Sequence, residues 1–229
     1  MKLSVLSLAS LAPLVAAHFE LDYPPSRGVN EDKMTQFPCG GLGVSSNRTQ
    51  VSLSDPSVPL ALTMGHDETA LEVLLALGSD PGTNFNITLK PTFRIEGLGS
   101  FCIPSIAFDA SVLGINLTDG MNATLQVQSN GDPSGGLYSC ADIQFSATAT
   151  SSEPSSCNNG TGVTAIAFTG AAAERNANES TAEGEAQSGS GSSSGSGGSA
   201  ATSTGGAVPL QTAAWGVLGA AVAGGLAIL

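Results

Sequence analysis

Residues 137–145 read Leu137-Tyr138-Ser139-Cys140-Ala141-Asp142-Ile143-Gln144-Phe145, and from Cys140 onward the apolar residues Ala141, Ile143 and Phe145 take alternate positions. Side chains of a strand point to opposite faces with a period of two. The stretch therefore predicts a strand with one apolar face and a second face carrying Cys140, Asp142 and Gln144. Outward from it, apolar and β-branched segments recur with turn residues between them: Thr49–Leu53, Leu60–Met64, Leu71–Leu77, Asn84–Lys90, Thr124–Gln128, Tyr138–Thr148 and Val163–Phe168. Segments of that length and spacing favour strands. Asn130-Gly131-Asp132 and Pro81-Gly82 mark chain reversals. The expected fold is all-β, an antiparallel β-sandwich with long loops and few, short helices. Leu71–Leu77 stays open between a buried strand and a helix turn, because a seven-residue apolar run fits both.

The ends of the chain read differently. Lys2 is followed by an apolar run from Leu3 to Val15 and then by Ala16-Ala17, the small residues a signal peptidase requires. Cleavage after Ala17 is expected. A tract dominated by Ser, Gly, Ala and Thr runs from Ala182 to Ala207, and an uncharged stretch continues to Leu229. A membrane span would normally carry basic residues on its cytoplasmic side, and none follows here. A small-residue site, a polar spacer and an apolar end instead match a glycosylphosphatidylinositol signal, with the anchor near Gly198 or Ser199 and Ser199 taken as the site. The expected organisation is a signal peptide over 1–17, one domain over 18–170, a disordered Ser/Gly/Ala-rich linker over 171–199 and a removed propeptide over 200–229.

Seven basic residues against 19 acidic ones give a formal charge of −12. Binding to a phosphate backbone needs Lys and Arg to displace counterions, so nucleic acid is excluded as a partner. The same field concentrates cations. Cys39, Cys102, Cys140 and Cys157 would pass through an oxidising compartment, so two disulfides are expected, with three pairings open. No C-x-x-C spacing occurs, which argues against zinc. Asn-x-Ser/Thr sites at Asn47, Asn86, Asn116, Asn122, Asn159 and Asn178 are candidate glycosylation sites in a secreted protein.

Removal of Ala17 would make one of only two histidines, His18, the first residue of the mature chain. A terminal histidine offers its α-amino nitrogen and a ring nitrogen to the same ion. A second imidazole opposite completes a three-nitrogen arrangement that suits copper, and His66 is the one available. It sits in Thr63-Met64-Gly65-His66-Asp67-Glu68, between two apolar segments, where a loop is expected.

The start His18-Phe19-Glu20-Leu21, the runs Tyr23-Pro24-Pro25-Ser26-Arg27-Gly28 and Phe37-Pro38-Cys39-Gly40-Gly41, and residues 137–145 together resemble the fungal proteins similar to lytic polysaccharide monooxygenases but assigned to copper binding and acquisition. The resemblance covers most of the domain. It implies an immunoglobulin-like β-sandwich and a histidine brace in which a carboxylate joins the two histidines on one copper ion. Asp142 best matches that carboxylate, with Asp67 and Glu68 as alternatives for ligand or supporting group. The expected disulfides are Cys39–Cys140, tying the N-terminal loop to the strand of Asp142, and Cys102–Cys157. A carboxylate on copper favours Cu(II) and hinders the reduction that oxygen chemistry needs.

Copper capture at the cell surface, with a membrane copper transporter as recipient, is thus the expected function. Its alternative is a copper monooxygenase acting on cell-wall polysaccharide. The single tryptophan, Trp215, falls in the removed tail, so the mature domain lacks the tryptophan platforms common on sugar-binding faces, although Tyr23 and Tyr138 remain. A structural wall glycoprotein with an incidental histidine is a third reading. No Ser-His-Asp or Cys-His nucleophile is credible with His66 as sole internal base, and nothing marks a carboxylate pair for glycoside hydrolysis.

Overall fold

The computed structural model describes residues 18–131, 134–151 and 153–188. Nine strands, β1 (Phe19–Tyr23), β2 (Thr49–Ser52), β3 (Ser57–Met64), β4 (Glu68–Leu77), β5 (Ile87–Glu96), β6 (Gly99–Ala107), β7 (Asn122–Asn130), β8 (Gly136–Ser146) and β9 (Thr164–Ala167), form two sheets. The smaller has the order β1-β3-β6 and the larger β2-β8-β7-β4-β5-β9. All pairings are antiparallel except β2 with β8, which is parallel. The helices α1 (Ala110–Leu113) and α2 (Ala171–Glu174) have one turn each.

The core lies between the sheets. Leu21, Leu60, Leu62, Phe101 and Ile106 meet Leu71, Val73, Leu75, Leu125, Val127, Ala141, Ile143 and Phe145 in one buried cluster. The alternation in residues 140–145 therefore marks a core-facing strand. Leu71–Leu77 is also a strand: it sits between β7 and β5 in the interior of the larger sheet, buried on both faces, which is why no polar residue alternates through most of it. The sequence did not mark β1 or β6. β1 is a short strand of five residues directly after His18, and β6 carries Pro104 at the edge of the smaller sheet, where a missing N–H is tolerated.

The second face of β8 is covered. The connection from β1 to β2 lies on it, with Tyr138 N donating to Met34 O at 2.8 Å, Arg27 N to Cys140 O at 2.8 Å and Gln126 Nε2 to Pro38 O at 2.7 Å. A disulfide joins Cys39 to Cys140, and a second joins Cys102 to Cys157.

The expected boundary near residue 170 requires correction. Residues 171–188 are not a linker but a strap across the outer face of the larger sheet. Thr92 Oγ1 donates to Arg175 O at 2.6 Å, Ala177 N to Glu72 Oε2 at 3.2 Å and Asn178 Nδ2 to the Tyr138 hydroxyl at 3.0 Å. Ala177 and Ser180 are fully buried. The strap's composition is that of a linker, yet it supplies partners to polar groups that would otherwise be orphaned on the sheet. An unmet buried group costs about 1–3 kcal/mol. Burial pushes the Glu72 carboxyl up, against the pull of the hydrogen bonds from Gln128 and Ala177, and the nearby Glu179 charge pushes it further. The expected leader, the expected anchor site Ser199 and the apolar tail lie outside the described residues.

Candidate metal centre

Pairing between β1 and β3 brings the two histidines together. Phe19 lies opposite Met64, so His18, one residue before β1, meets Gly65, one residue after β3. Gly65 N donates to His18 O at 2.9 Å. A Cβ at position 65 would stand 2.5 Å from that same oxygen, so only glycine permits the approach. His66 follows immediately, on the turn that carries the chain from the smaller sheet to the larger.

The ring of His66 is held by its own turn. Nδ1 is 2.9 Å from Glu68 O and 3.4 Å from Glu68 N, so the tautomer with its proton on Nδ1 donates to that carbonyl and leaves the Nε2 lone pair for another partner. The Asp67 carboxylate also lies 3.3 Å from Nδ1, and the side chain of His66 is 38% exposed. A backbone carbonyl or carboxylate on one ring nitrogen is the usual support for an imidazole that ligates a metal with the other. His18 is half-buried beside it. The donor set therefore fits a small nitrogen-preferring ion. Among the described residues no three His, Cys, Asp or Glu side chains converge, and the nitrogen groups that the β1–β3 pairing places side by side are those of His18 and His66.

Asp142 does not join them, and its expected role as third ligand is corrected by the strand register. Asp142 lies opposite Thr124 on β7, and Thr124 opposite Ala76 on β4. Ala76 is eight residues along β4 from Glu68, the residue that follows the histidine turn. At ~3.3 Å per residue the carboxylate stands roughly 26 Å along the sheet from His66. Its oxygens are fully engaged: Oδ2 accepts from Arg27 Nε at 2.9 Å and Ser45 N at 2.7 Å, and Oδ1 from Arg27 Nη2 at 2.8 Å and Thr124 Oγ1 at 2.7 Å. The side chain is completely buried, with Arg48 Nη1 a further 3.6 Å away. Burial would push this carboxyl up, but the hydrogen bonds from Arg27, Thr124 and the Ser45 amide outweigh it and hold it below the usual carboxylate range. The alternation had placed Asp142 on the correct face of β8; the loop covering that face turns it from a surface group into an internal anchor for Arg27.

Two residues that decide the geometry carried no recognised signal. In the sequence Arg27 is only one member of the run Tyr23–Gly28, although one of just seven basic residues in an acidic chain needs a partner when buried. Gly65 is marked in the sequence only by standing next to His66. Of the alternative carboxylates, Asp67 lies beside His66, whereas Glu68 contributes its main-chain oxygen. The reversal at Asn130-Gly131-Asp132 joins β7 to β8 at the same end of the sheet, with Asn130 Oδ1 accepting from Ala70 N at 2.8 Å, and Asp132 itself lies outside the described residues. Asn47, Asn86 and Asn116 are exposed. Asn122 and Asn178 give amide hydrogens to Ser79 and Tyr138, and Asn159 accepts from Cys102 N.

Comparison with known families matches residues 16–162 to the copper acquisition factor BIM1-like domain, a span that opens two residues before His18. The chain belongs to that family. It is 69% identical, over all of both chains, to an uncharacterised protein of Aspergillus fumigatus. It is 35% identical to the lytic polysaccharide monooxygenase-like protein X325 of Yarrowia lipolytica, across 75% of this chain and 65% of that one. The copper acquisition factor BIM1 of Cryptococcus neoformans var. grubii is 32% identical, across 61% of this chain and 65% of its own. The BIM1-like match ends at Gly162, so β9 and the strap lie beyond it.

Replacing Gly65 by Ala tests how the BIM1-like site is held. The added methyl group must push the Gly65 turn away from His18 O. Gly65→Ala is expected to weaken copper binding by about tenfold or more, in the range seen when supports of metal ligands are removed, with a smaller loss of thermal stability. Isothermal titration and a thermal melt of the processed protein measure the two effects.

Proposed function

We propose that this protein captures copper at the outer surface of the cell, holding one ion between His18 and His66 without oxidising polysaccharide. The observation that carries the reading is the β1–β3 register, which sets His18 against Gly65, the neighbour of His66, whose Nδ1 lies against the Glu68 carbonyl. Membership of the BIM1-like family and similarity to a copper acquisition factor favour copper as the ion. Removal of the leader after Ala17 would add the α-amino group of His18 as third nitrogen. Copper held there is a store of exchangeable metal; the protein's own residues bind it, orient His66 and keep the site half-open to solvent.

The surroundings favour binding over polysaccharide oxidation. Neither tyrosine offers a sugar platform beside the histidines: Tyr138 is buried against Phe37, and Tyr23 pairs with Ala61, at the other end of β1 from His18. The exposed acidic residues Glu20 and Asp67 favour an approaching cation. Anchoring by a glycosylphosphatidylinositol group, glycosylation of the exposed sequons and delivery to a membrane transporter belong to the same proposal.

Copper-loaded processed protein, given reductant and chitin, cellulose or β-glucan, is expected to yield no oxidised oligosaccharide above a free-copper control. Product that disappears in His66→Ala would establish the monooxygenase alternative instead. Peroxide alone would not distinguish the two, because loosely held copper also makes it.

A further inference from the structure

The outer face of the larger sheet carries an aromatic cluster that is closed on one side only. Phe37 packs edge to face against Tyr138, with ring centres 5.2 Å apart, and against Phe85 at 6.5 Å. The Tyr138 side is shut, because its ring is buried and its hydroxyl accepts from Asn178 of the strap. The Phe85 side is open. Phe37 is 48% exposed, the one aromatic side chain among the described residues left so open. Strand register says what else reaches this place. Thr88 on β5 lies opposite Leu74 on β4, Leu74 opposite Gln126 on β7, and Gln126 opposite Cys140 on β8. The segment 37–39 lies over that row, since Gln126 Nε2 donates to Pro38 O at 2.7 Å and Cys39 is bonded to Cys140. Ile87 and Leu89 pack against the core, so alternation sends Thr88 to the outer face, where it is exposed. Asn86, one residue before β5, is exposed as well, and Asn86-Ile87-Thr88 is a sequon. Of the six sequons it alone directly follows an aromatic residue.

We propose that Asn86 carries an N-linked glycan whose first N-acetylglucosamine lies on the open side of the Phe37–Phe85 pair. The inference rests on glycosylation of the exposed sequons, as in the reading above. Attachment breaks the bond from the sugar C1 to the diphosphate of a lipid-linked oligosaccharide donor and forms a bond from C1 to Asn86 Nδ2. The amide gives up one proton, the lipid diphosphate leaves, and nothing is oxidised or reduced. One face of the sugar ring presents C–H groups that are slightly positive, and the face of an aromatic ring is negative, so the two attract while apolar surface leaves water. Phe85 starts its side chain from the α-carbon next to the attachment point, ~3.8 Å away, and Phe37 extends the surface beyond it. Asn178 also touches the cluster, but the amide nitrogen a glycan would need is already given to Tyr138, and its Oδ1 is buried. The sugar on Asn86 thus covers the part of the cluster that the strap leaves in water.

Protein expressed from the full chain in a glycosylating fungal host, trimmed by an endoglycosidase to one N-acetylglucosamine per occupied site, tests the contact. Mass spectrometry of its peptides is expected to find that sugar on Asn86. In proton spectra the ring protons of the Asn86 sugar should lie upfield of those of free N-acetylglucosamine, shifted by the ring currents of Phe37 and Phe85. Phe37→Leu, which keeps an apolar side chain without a ring, should reduce the shift. Thr88→Ala removes the sequon and leaves Asn86 in place; it should lower the melting temperature by about 2 °C or more, and by less when Phe37 is already Leu, because the two changes then touch the same contact. Bare Asn86 in protein whose Asn47 or Asn116 is occupied would overturn this site and leave glycosylation of the chain standing. Bare asparagine at every sequon would remove that reading, and this inference with it. An occupied Asn86 whose sugar keeps free-sugar shifts, or a Thr88→Ala effect equal in both backgrounds, would mean that the glycan projects into water and would overturn the contact.

Discussion

Protein with one extra residue before His18, such as Gly, is expected to bind copper about a hundredfold or more weakly than correctly processed protein, because even the supports of metal ligands are worth about 10–100-fold. Both imidazoles survive the extension, as does the pairing of Phe19 with Met64 that brings them together. What changes is the α-amino nitrogen, which becomes an amide and loses its lone pair to resonance. His66→Ala is expected to cause a loss of the same order, since His66, next to the Gly65 that bonds His18 O, is the chain's one other imidazole. Isothermal titration with a competing chelator measures both, and electron paramagnetic resonance of the Cu(II) form reports the number of nitrogens. Equal affinities in native, extended and His66→Ala proteins would remove the copper site and the function proposed from it.

Asp142→Ala is expected to act on stability and to spare copper. The substitution strips Arg27 of its two-point partner inside a largely buried network and leaves a guanidinium without its counterion. Breaking a buried pair from one side costs about 3–5 kcal/mol. Against a total of about 5–15 kcal/mol for a domain, that is a large share. Thermal or urea unfolding should show it, while the folded fraction keeps the copper affinity and Cu(II) spectrum of the native protein, because the carboxylate stands at the other end of the sheet. A changed spectrum without destabilisation would mean that Asp142 reaches the metal after all. The direction with pH follows from the depressed carboxyl. Its contribution is complete above the unfolded value of about 3.9 and is lost only as pH falls through the lower folded value, so this network holds in mildly acidic media.

The residues differ in how far their roles could be read. Ala141, Ile143 and Phe145 face the core as their spacing requires, since a period of two is a local property of an extended chain. His18 stands out because an expected cleavage pattern, Val15-Ala16-Ala17, comes directly before it, and such patterns are local to the chain. Pairing between β1 and β3 was not legible, although it is what places His18 beside His66. Leu71–Leu77 became a strand because β5 and β7 flank it, and no local pattern reports neighbours contributed from twenty or fifty residues away.

Asp142 and the strap were misread for one physical reason. A polar side chain on a strand looks the same in sequence whether water, metal or another part of the chain lies over it. By itself the sequence determined which residues lie on which face of β8, and it set the expectation that processing would leave histidine first. Tertiary structure decided what covers each face. It gave Asp142 to Arg27 instead of a metal, put residues 171–188 over Glu72 and Tyr138, and brought His18 and His66 together, because burial and hydrogen-bond satisfaction depend on segments far apart in the chain.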